Sequence, residues 1–201
     1  MDSIGIGELN SKTYFGSQVG EIISQLGELR ISVFHDFPYL YDGDLEYEKN
    51  YLKVYTKDPR SIVHVVFDNE RAIGATTGMP LSLESDEIKE PFQALDFDLD
   101  NIYYFGESIL LNDYRGRGLG HQFFDIREKQ ALKYGFEITA FCSVVRPEDH
   151  PLKPANYRPN DVFWKKRGYT KQDFSCKMSW LDRNEIEETA KELQFWMKTW
   201  K

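Results

Sequence analysis

Cysteine and histidine are scarce. Cys142 and Cys176 are the only cysteines in 201 residues, and His35, His64, His121 and His150 are the only histidines. Each cysteine lies in a run that reads as a strand, neither has metal-ligand spacing, and no histidine pair forms HxxxH or a similar pattern. No metal site is expected, and two buried thiols in a reducing cytoplasm fit the cysteines. An apolar run of the roughly 18–20 residues needed to span a bilayer is also missing. Residues 1–10 lack the basic flank and apolar core of a signal peptide. A membrane partner is therefore not expected. Gly/Ser tracts, long proline runs and blocks of like charge are absent too, so nothing marks a linker, and residues 1–201 are predicted to form one domain. Positive charge is in deficit: 25 Lys and Arg stand against 33 Asp and Glu, a formal net charge of −8. Such a chain has no long-range attraction to nucleic acid.

What is present is a globular pattern, with 41% hydrophobic and 29% charged residues. Residues 13–15 read as a short strand. The spacing of Val19, Ile22, Ile23, Leu26, Leu29 and Val33 predicts a helix over 18–34, with Gly27 and Ile31 working against an unbroken one. A second helix is predicted over 46–55, with Tyr47, Tyr51 and Tyr55 on one packed face. The β-branched run 61–67 and the return 72–79 predict a hairpin. A polar, partly helical insertion follows at 83–95. Residues 101–111 read as one long strand, 119–134 as a helix stopped by Gly135, 137–145 as a strand and 161–167 as a helix stopped by Gly168. Residues 174–180 and 193–200 read as closing strands, the last with the alternative of a helix continuing from Glu185. The order is that of an α/β protein, a central twisted sheet flanked by helices.

The informative stretch joins the long strand to the helix after it: Ile109-Leu110-Leu111-Asn112-Asp113-Tyr114-Arg115-Gly116-Arg117-Gly118-Leu119-Gly120. Glycines let a backbone approach a ligand closely and adopt positive φ. The first turn of a helix carries N–H groups without intrahelical partners, and its dipole favours an anion. Arg115 and Arg117 add donors suited to phosphate. A phosphate or pyrophosphate site is predicted here. It is neither a Walker loop, which needs GxxxxGK and then Ser or Thr, nor a GxGxxG dinucleotide fingerprint.

Arg115-x-x-Gly118-x-Gly120 resembles the Arg/Gln-x-x-Gly-x-Gly/Ala motif of the GNAT acetyltransferase superfamily, and Phe163-Trp164-Lys165-Lys166-Arg167-Gly168-Tyr169 is similar to its later Phe-Tyr-x-Lys-x-Gly-Phe segment. The resemblance covers residues 60–180 well and the N-terminal third in outline. It implies a GNAT-like domain with a mixed sheet and the glycine-rich loop between its fourth strand and third helix. It implies acetyl-CoA as co-substrate, with Ser108, Ile109 and Leu110 pairing with the pantetheine arm. The loop of Arg115, Gly116, Arg117, Gly118, Leu119, Gly120 and His121 would hold the pyrophosphate, and a backbone N–H near Leu110 would polarise the acyl carbonyl. The implied activity is N-acetyl transfer to the amine of a small molecule or peptide, in a monomer or homodimer. The alternative is an inactive acyl-CoA-binding sensor or partner module.

The reaction needs a base for the incoming ammonium. Glu107 is the only carboxylate in the apolar core of its strand, and burial would raise its pKa as a base requires. Strand parity points instead to Tyr104, unless a bulge resets the register. The family's usual acid is a tyrosine where this chain has Trp164, which offers only an indole N–H, so thiolate leaves unassisted or Tyr157 serves. The long, proline-stiffened loop 146–159 supplies the acceptor candidates Arg146, Asp149, His150, Tyr157 and Arg158, with the aromatic segment 37–41 as a second wall of that pocket.

Overall fold

The computed structural model describes residues 9–200. Residues 1–8 and 201 of the expected domain, and with them most of the segment read for a signal peptide, lie outside. The elements are β1 (Leu9–Phe15), α1 (Ile23–Phe34), α2 (Leu45–Leu52), β2 (Ile62–Asp68), β3 (Arg71–Pro80), α3 (Asp86–Ala94), β4 (Ile102–Tyr104), β5 (Ser108–Leu110), α4 (Leu119–Lys133), β6 (Ile138–Val144), α5 (Asp161–Lys166), β7 (Thr170–Trp180) and β8 (Thr189–Thr199). They build one mixed eight-stranded sheet in the order β1-β2-β3-β4-β6-β8-β7, with β5 also paired to β3. The β4–β6 pair is parallel and its neighbours are antiparallel. No helix among the described residues is long and apolar enough to cross a membrane.

Strand period explains the layers. Val63, Val65 and Phe67 point to one face and meet Leu26, Leu29 and Phe34 of α1 and Leu52 of α2. Val66, on the opposite face, meets Leu119 and Phe123 of α4. Ile88 and Phe92 of α3 cover Ile102, Tyr104 and Ala140 beside α1 and α2. Helices α1–α3 thus lie on one face of the sheet and α4–α5 on the other. Buried on both faces, β2 and β3 read as continuous apolar runs, which is why the hairpin is evident in the sequence.

Several sequence expectations change. The helix over 18–34 is a 3-10 turn (Gly16–Glu21) followed by α1, so the break falls at Ile22 and not at Gly27 or Ile31. Gly27 serves packing: a Cβ there would stand 3.0 Å from Leu45 Cδ1 and 3.3 Å from Glu48 Cβ, so its absence lets α1 and α2 approach. Helix α2 tightens into 3-10 after Leu52, and Tyr47 turns to solvent at 59% exposure while Tyr55 is buried, so the three tyrosines do not share one packed face. The last segment is a strand, β8, paired with β6 and β7 along its two edges. The expected strand over 101–111 is broken into β4 and β5. Because of that break and of α3, the glycine-rich loop lies between the fifth strand and the fourth helix.

Candidate active site

The break between β4 and β5 creates the site. Met79 pairs with Tyr104 and Thr76 with Ser108, so three steps along β3 face four along the other chain. One extra residue is bulged out around Phe105-Gly106-Glu107, and the register resets. The bulge places Tyr104 and Glu107 on the same side of the sheet despite their odd spacing. Gly106 permits it, since a Cβ there would fall 2.0 Å from Tyr55 Oη and 2.7 Å from Thr77 Oγ1. Gly106→Ala is expected to destabilise the protein by about 1–3 kcal/mol through overpacking. Urea denaturation checks this; an unchanged midpoint would mean the bulge accepts a side chain.

Pairing between β4 and β6 ends where Phe105 N–H donates to Ala140 O at 2.8 Å. Beyond that point β5 stays on β3 and parts from β6, opening a cleft between them. Thr77 N–H donates to Glu107 O and Leu111 N–H to Ile73 O, so odd-numbered residues face β3. By strand alternation the backbone N–H groups of Ser108 and Leu110 point into the cleft. Arg115 Nε donates to Leu110 O at 3.2 Å on that same edge.

The cleft leads to the glycine-rich loop. Gly116 and Gly118 have φ of +78° and +83°, a region that favours glycine. Gly118 caps α4 with no side-chain bond. His121 and Gln122 N–H both donate to Gly118 O, whereas the N–H groups of residues 116–120 have no partner among the described residues. Cβ atoms built at Gly116 and Gly118 meet nothing within 4 Å, so the surface before these donors is open. Together with the dipole of a 15-residue helix, this is a cradle for a diphosphate.

At the apex of the cleft lies a buried polar cluster that the sequence reading saw only in part. Arg30 donates through Nε to Glu48 and through Nη1 to Glu107. Glu107 also accepts from Tyr55 Oη at 3.2 Å and from Thr77 Oγ1. Its backbone carbonyl takes Arg127 Nη1 at 3.2 Å, and the Arg127 guanidinium lies 4.2 Å from the Phe105 ring. Desolvation lowers the Arg127 pKa to about 10. Tyr104 Oη contacts Cys142 Sγ at 3.0 Å across the last paired step of β4 and β6. Burial, reinforced by Cys142 and Glu84, raises the Tyr104 pKa well above the usual phenol value, so this side chain keeps its proton at neutral pH, as a hydrogen-bond donor and not a base. Of the two expected base candidates, then, Tyr104 is a donor and Glu107 is an ion-pair partner with both carboxylate oxygens occupied. A third carboxylate, Glu84, is buried nearby, and burial pushes its pKa up to about 7.

Neither a family model nor a curated protein matches this sequence. Solved structures do. The chain is similar to the ribosomal-protein-alanine N-acetyltransferase from Brucella melitensis (TM-score 0.60, 12% identity, covering 94% of this chain and 99% of that one). It is similar to an acetyltransferase of the GNAT family from Streptococcus pneumoniae (TM-score 0.58, 13% identity, 96% and 100% covered). It is also similar to the PaiA N-acetyltransferase from Thermoplasma acidophilum, solved in complex with coenzyme A (TM-score 0.54, 12% identity, 95% and 99% covered). This chain has the GNAT fold. The splayed strands and the glycine-rich helix start described above are parts of that GNAT fold here.

The acceptor candidates separate on this GNAT scaffold. His150 and Tyr157 are brought against Phe37, with ring centroids 5.6 Å and 4.7 Å apart, so the 146–159 loop and the 37–41 segment form one wall. Burial raises the Tyr157 pKa and the charge of Asp161 adds to it, against a smaller opposing effect of Arg115. Arg146 is turned elsewhere: it donates to Pro38 O, to Tyr39 O and twice to Asp182 at 2.7–2.9 Å. Four of its five N–H groups are thereby engaged, and it clamps the 37–41 segment instead of presenting a free contact. Asp149 and Arg158 are exposed on the loop surface. Trp164 packs edge-on against Phe141 and Trp196, each at 5.1 Å, a half-buried side chain that joins α5 to the core. Arg30, Arg127 and Glu84 were not read as site residues; the two arginines sit on otherwise apolar helix stripes, which is the signal that marks them.

Proposed function

We propose that this chain transfers an acetyl group from acetyl-CoA to an amine of a small molecule or peptide. The observation that carries the reading is the cleft edge of β5 running into a loop of unpartnered N–H groups at a helix start. Acetyl-CoA would supply a thioester-activated acetyl group. The residues fit it: the N–H groups of residues 116–120, with Arg115 and Arg117, suit the pyrophosphate, and His121 follows them on α4. The strand Ser108, Ile109, Leu110 suits the pantetheine arm, and Leu110 N–H is aimed where a carbonyl oxygen would gain from a donor. Loop 146–159 and the 37–41 segment, through His150, Tyr157 and Phe37, would border the acceptor, with Asp149 and Arg158 at its outer rim and Arg146 fixing the wall. On this reading the protein is a single-domain cytoplasmic acyltransferase, monomeric or homodimeric.

A non-catalytic acyl-CoA-binding module is favoured by one observation, the packed Trp164 at the position where the resemblance implies an acid. Two measurements separate the readings. Millimolar acetyl-CoA is expected to raise the melting temperature by roughly 5–10 °C if it reaches about 100 times its Kd. Gly118→Trp, which fills the open space before the loop, is expected to remain folded and lose that shift. No shift in the native chain would remove the acetyltransferase reading. A shift without CoA release in the presence of any amine would leave the binding module.

A further inference from the structure

The cleft between β5 and β6 has two banks, and one segment of chain is fastened to both. Residues 36–42 lie between α1 and α2. On the β5 bank, Asn112 Nδ2, in the 3-10 turn (Asn112–Tyr114) that follows the strand, donates to Asp36 Oδ2 at 2.9 Å. On the β6 bank, Arg146 stands two residues beyond Val144, where Val145 N–H still ties the chain to Glu192 O of β8 at 2.9 Å. Arg146 donates through Nε to Pro38 O and through Nη2 to Tyr39 O, both at 2.7 Å. Strands β4 and β5 both run antiparallel to β3, and β4 runs parallel to β6, so β5 and β6 point the same way. The two fastenings therefore lie at the same, open end of the cleft, and residues 36–39 cross its mouth from bank to bank.

This bridge is held from outside the cleft, by the end of β7 and the residues after it. Asp182 accepts from Nη1 and Nη2 of Arg146 at 2.7 and 2.9 Å, and Lys191 Nζ of β8 lies 3.3 Å from it. The side chains of Arg146 and Asp182 are 9% and 1% exposed. Trp180 Nε1 adds a bond to Tyr39 O at 3.0 Å, Arg183 N–H one to Leu40 O at 2.7 Å, and Asp42 N–H one to Leu181 O at 2.9 Å. Leu40 is fully buried with a φ of +57°, a left-handed conformation that an L-residue with a side chain keeps only where its surroundings impose it. The Tyr39 ring lies 4.2 Å from Phe34 and 6.1 Å from Trp180, so the bridge sits on the face of the sheet that carries α1–α3. Connections between helices ordinarily run over the surface and vary in position. This one is built into the β7–β8 hairpin.

We infer that Arg146 and Asp182 are positioning residues of the acceptor site. Asp182 aims the Arg146 fork, the fork fixes residues 38 and 39 over the mouth, and the fixed bridge holds Phe37 against His150 and Tyr157 where the acceptor amine enters. The inference rests on the acetyltransferase reading and deepens it: neither side chain needs to touch acceptor or cofactor, since both act through the backbone of the bridge. A planar guanidinium is required, because two carbonyls and a carboxylate are bonded at once from fixed directions. On the glycine-loop side, among the described residues, the bridge is linked by the exposed Asp36–Asn112 bond, at its far end from Arg146. Slackening at Arg146 is therefore felt at Phe37 and not at the diphosphate cradle. In Arg146→Met, Lys191 remains on Asp182, so the buried carboxylate keeps a cation and Tyr39 O keeps its bond from Trp180. The fold survives this substitution while Pro38 O is released.

The test uses the full chain, acetyl-CoA and three probe acceptors: benzylamine, 1,4-diaminobutane and a peptide with a free N-terminal alanine. CoA release is followed for the native protein, Arg146→Met and Asp182→Asn, varying acceptor and acetyl-CoA separately, and the acetyl-CoA thermal shift is measured for all three. For a probe that the native chain turns over, the acceptor KM is expected to rise about tenfold or more in Arg146→Met, while kcat and the acetyl-CoA KM stay within about threefold and the thermal shift is retained. Asp182→Asn is expected to move the same parameter in the same direction, and it supplies the measurement if Arg146→Met does not fold. An acceptor KM within about threefold of native overturns the inference. A fall in kcat or in acetyl-CoA affinity with that KM unchanged overturns it as well, since the bridge would then serve the chemistry or the cofactor. Failure of both variants to fold, or a native chain that binds acetyl-CoA and turns over no probe, has the same consequence. Absence of any acetyl-CoA shift in the native chain is a different result, and it removes the acetyltransferase reading on which the inference stands.

Discussion

Replacing Arg30 by methionine is expected to cost about 3–5 kcal/mol of folding stability, because it leaves two buried carboxylates without their cation. The side chains of Arg30, Glu48 and Glu107 are 10%, 1% and 4% exposed, so water cannot take over the lost role. Burial works against the charge of Arg30, but Tyr51 and Glu48 outweigh it, and its pKa is raised: the guanidinium stays charged in place. The ring of Tyr51, 4.6 Å from the guanidinium carbon, adds a cation–π contact that a thioether keeps only as packing. Arg30→Lys is no substitute, since a single ammonium does not reproduce a planar fork directed at two carboxylates. The triple variant with Arg30→Met, Glu48→Gln and Glu107→Gln is expected to recover much of the loss, because the desolvated charges leave together. Urea denaturation with an unchanged m-value checks both. A loss below about 1 kcal/mol for Arg30→Met would show that the cluster is solvated and behaves as a surface ion pair.

The same cluster shows where sequence reading stops. The glycine loop is legible because a helix start without a side-chain cap and with positive φ calls for glycine, and Gly116 and Gly118 stand in the left-handed region. The β2–β3 hairpin is legible because residues buried on both faces leave an unbroken apolar run. The bulge at residues 105–107 is not: the stretch is apolar on both sides of it, and the need for Gly106 comes from Tyr55 and Thr77, which are distant in sequence. Arg30 and Arg127 carry a readable mark. Leu26-Arg30-Phe34 and Phe123-Arg127-Ala131 are i, i+4 stripes with a cation in the middle, and both arginines are buried beneath the bulged strand. Glu84 carries none. It lies in a polar insertion beside Asp86 and Glu87, both exposed, and only the packing of the β3 end against α2 and β4 distinguishes it.

Glu84→Gln is expected to stabilise the protein at pH 8 by about 3 kcal/mol and to leave it nearly unchanged at pH 4. Burial holds this carboxyl at about 7 in the folded protein, above the ordinary 4.5, with Arg30 and Lys89 only partly opposing it. Between those values the folded state keeps a proton that the unfolded chain has released. Stability from this group is thus full below about 4.5 and falls as pH rises through about 7. Glutamine mimics the protonated form at every pH, so the native protein and the variant diverge across that window and run parallel above it. Urea denaturation at pH 4, 6 and 8 reads the divergence directly. A variant no more stable than native at pH 8 would mean that a cation already satisfies the carboxylate in the folded chain.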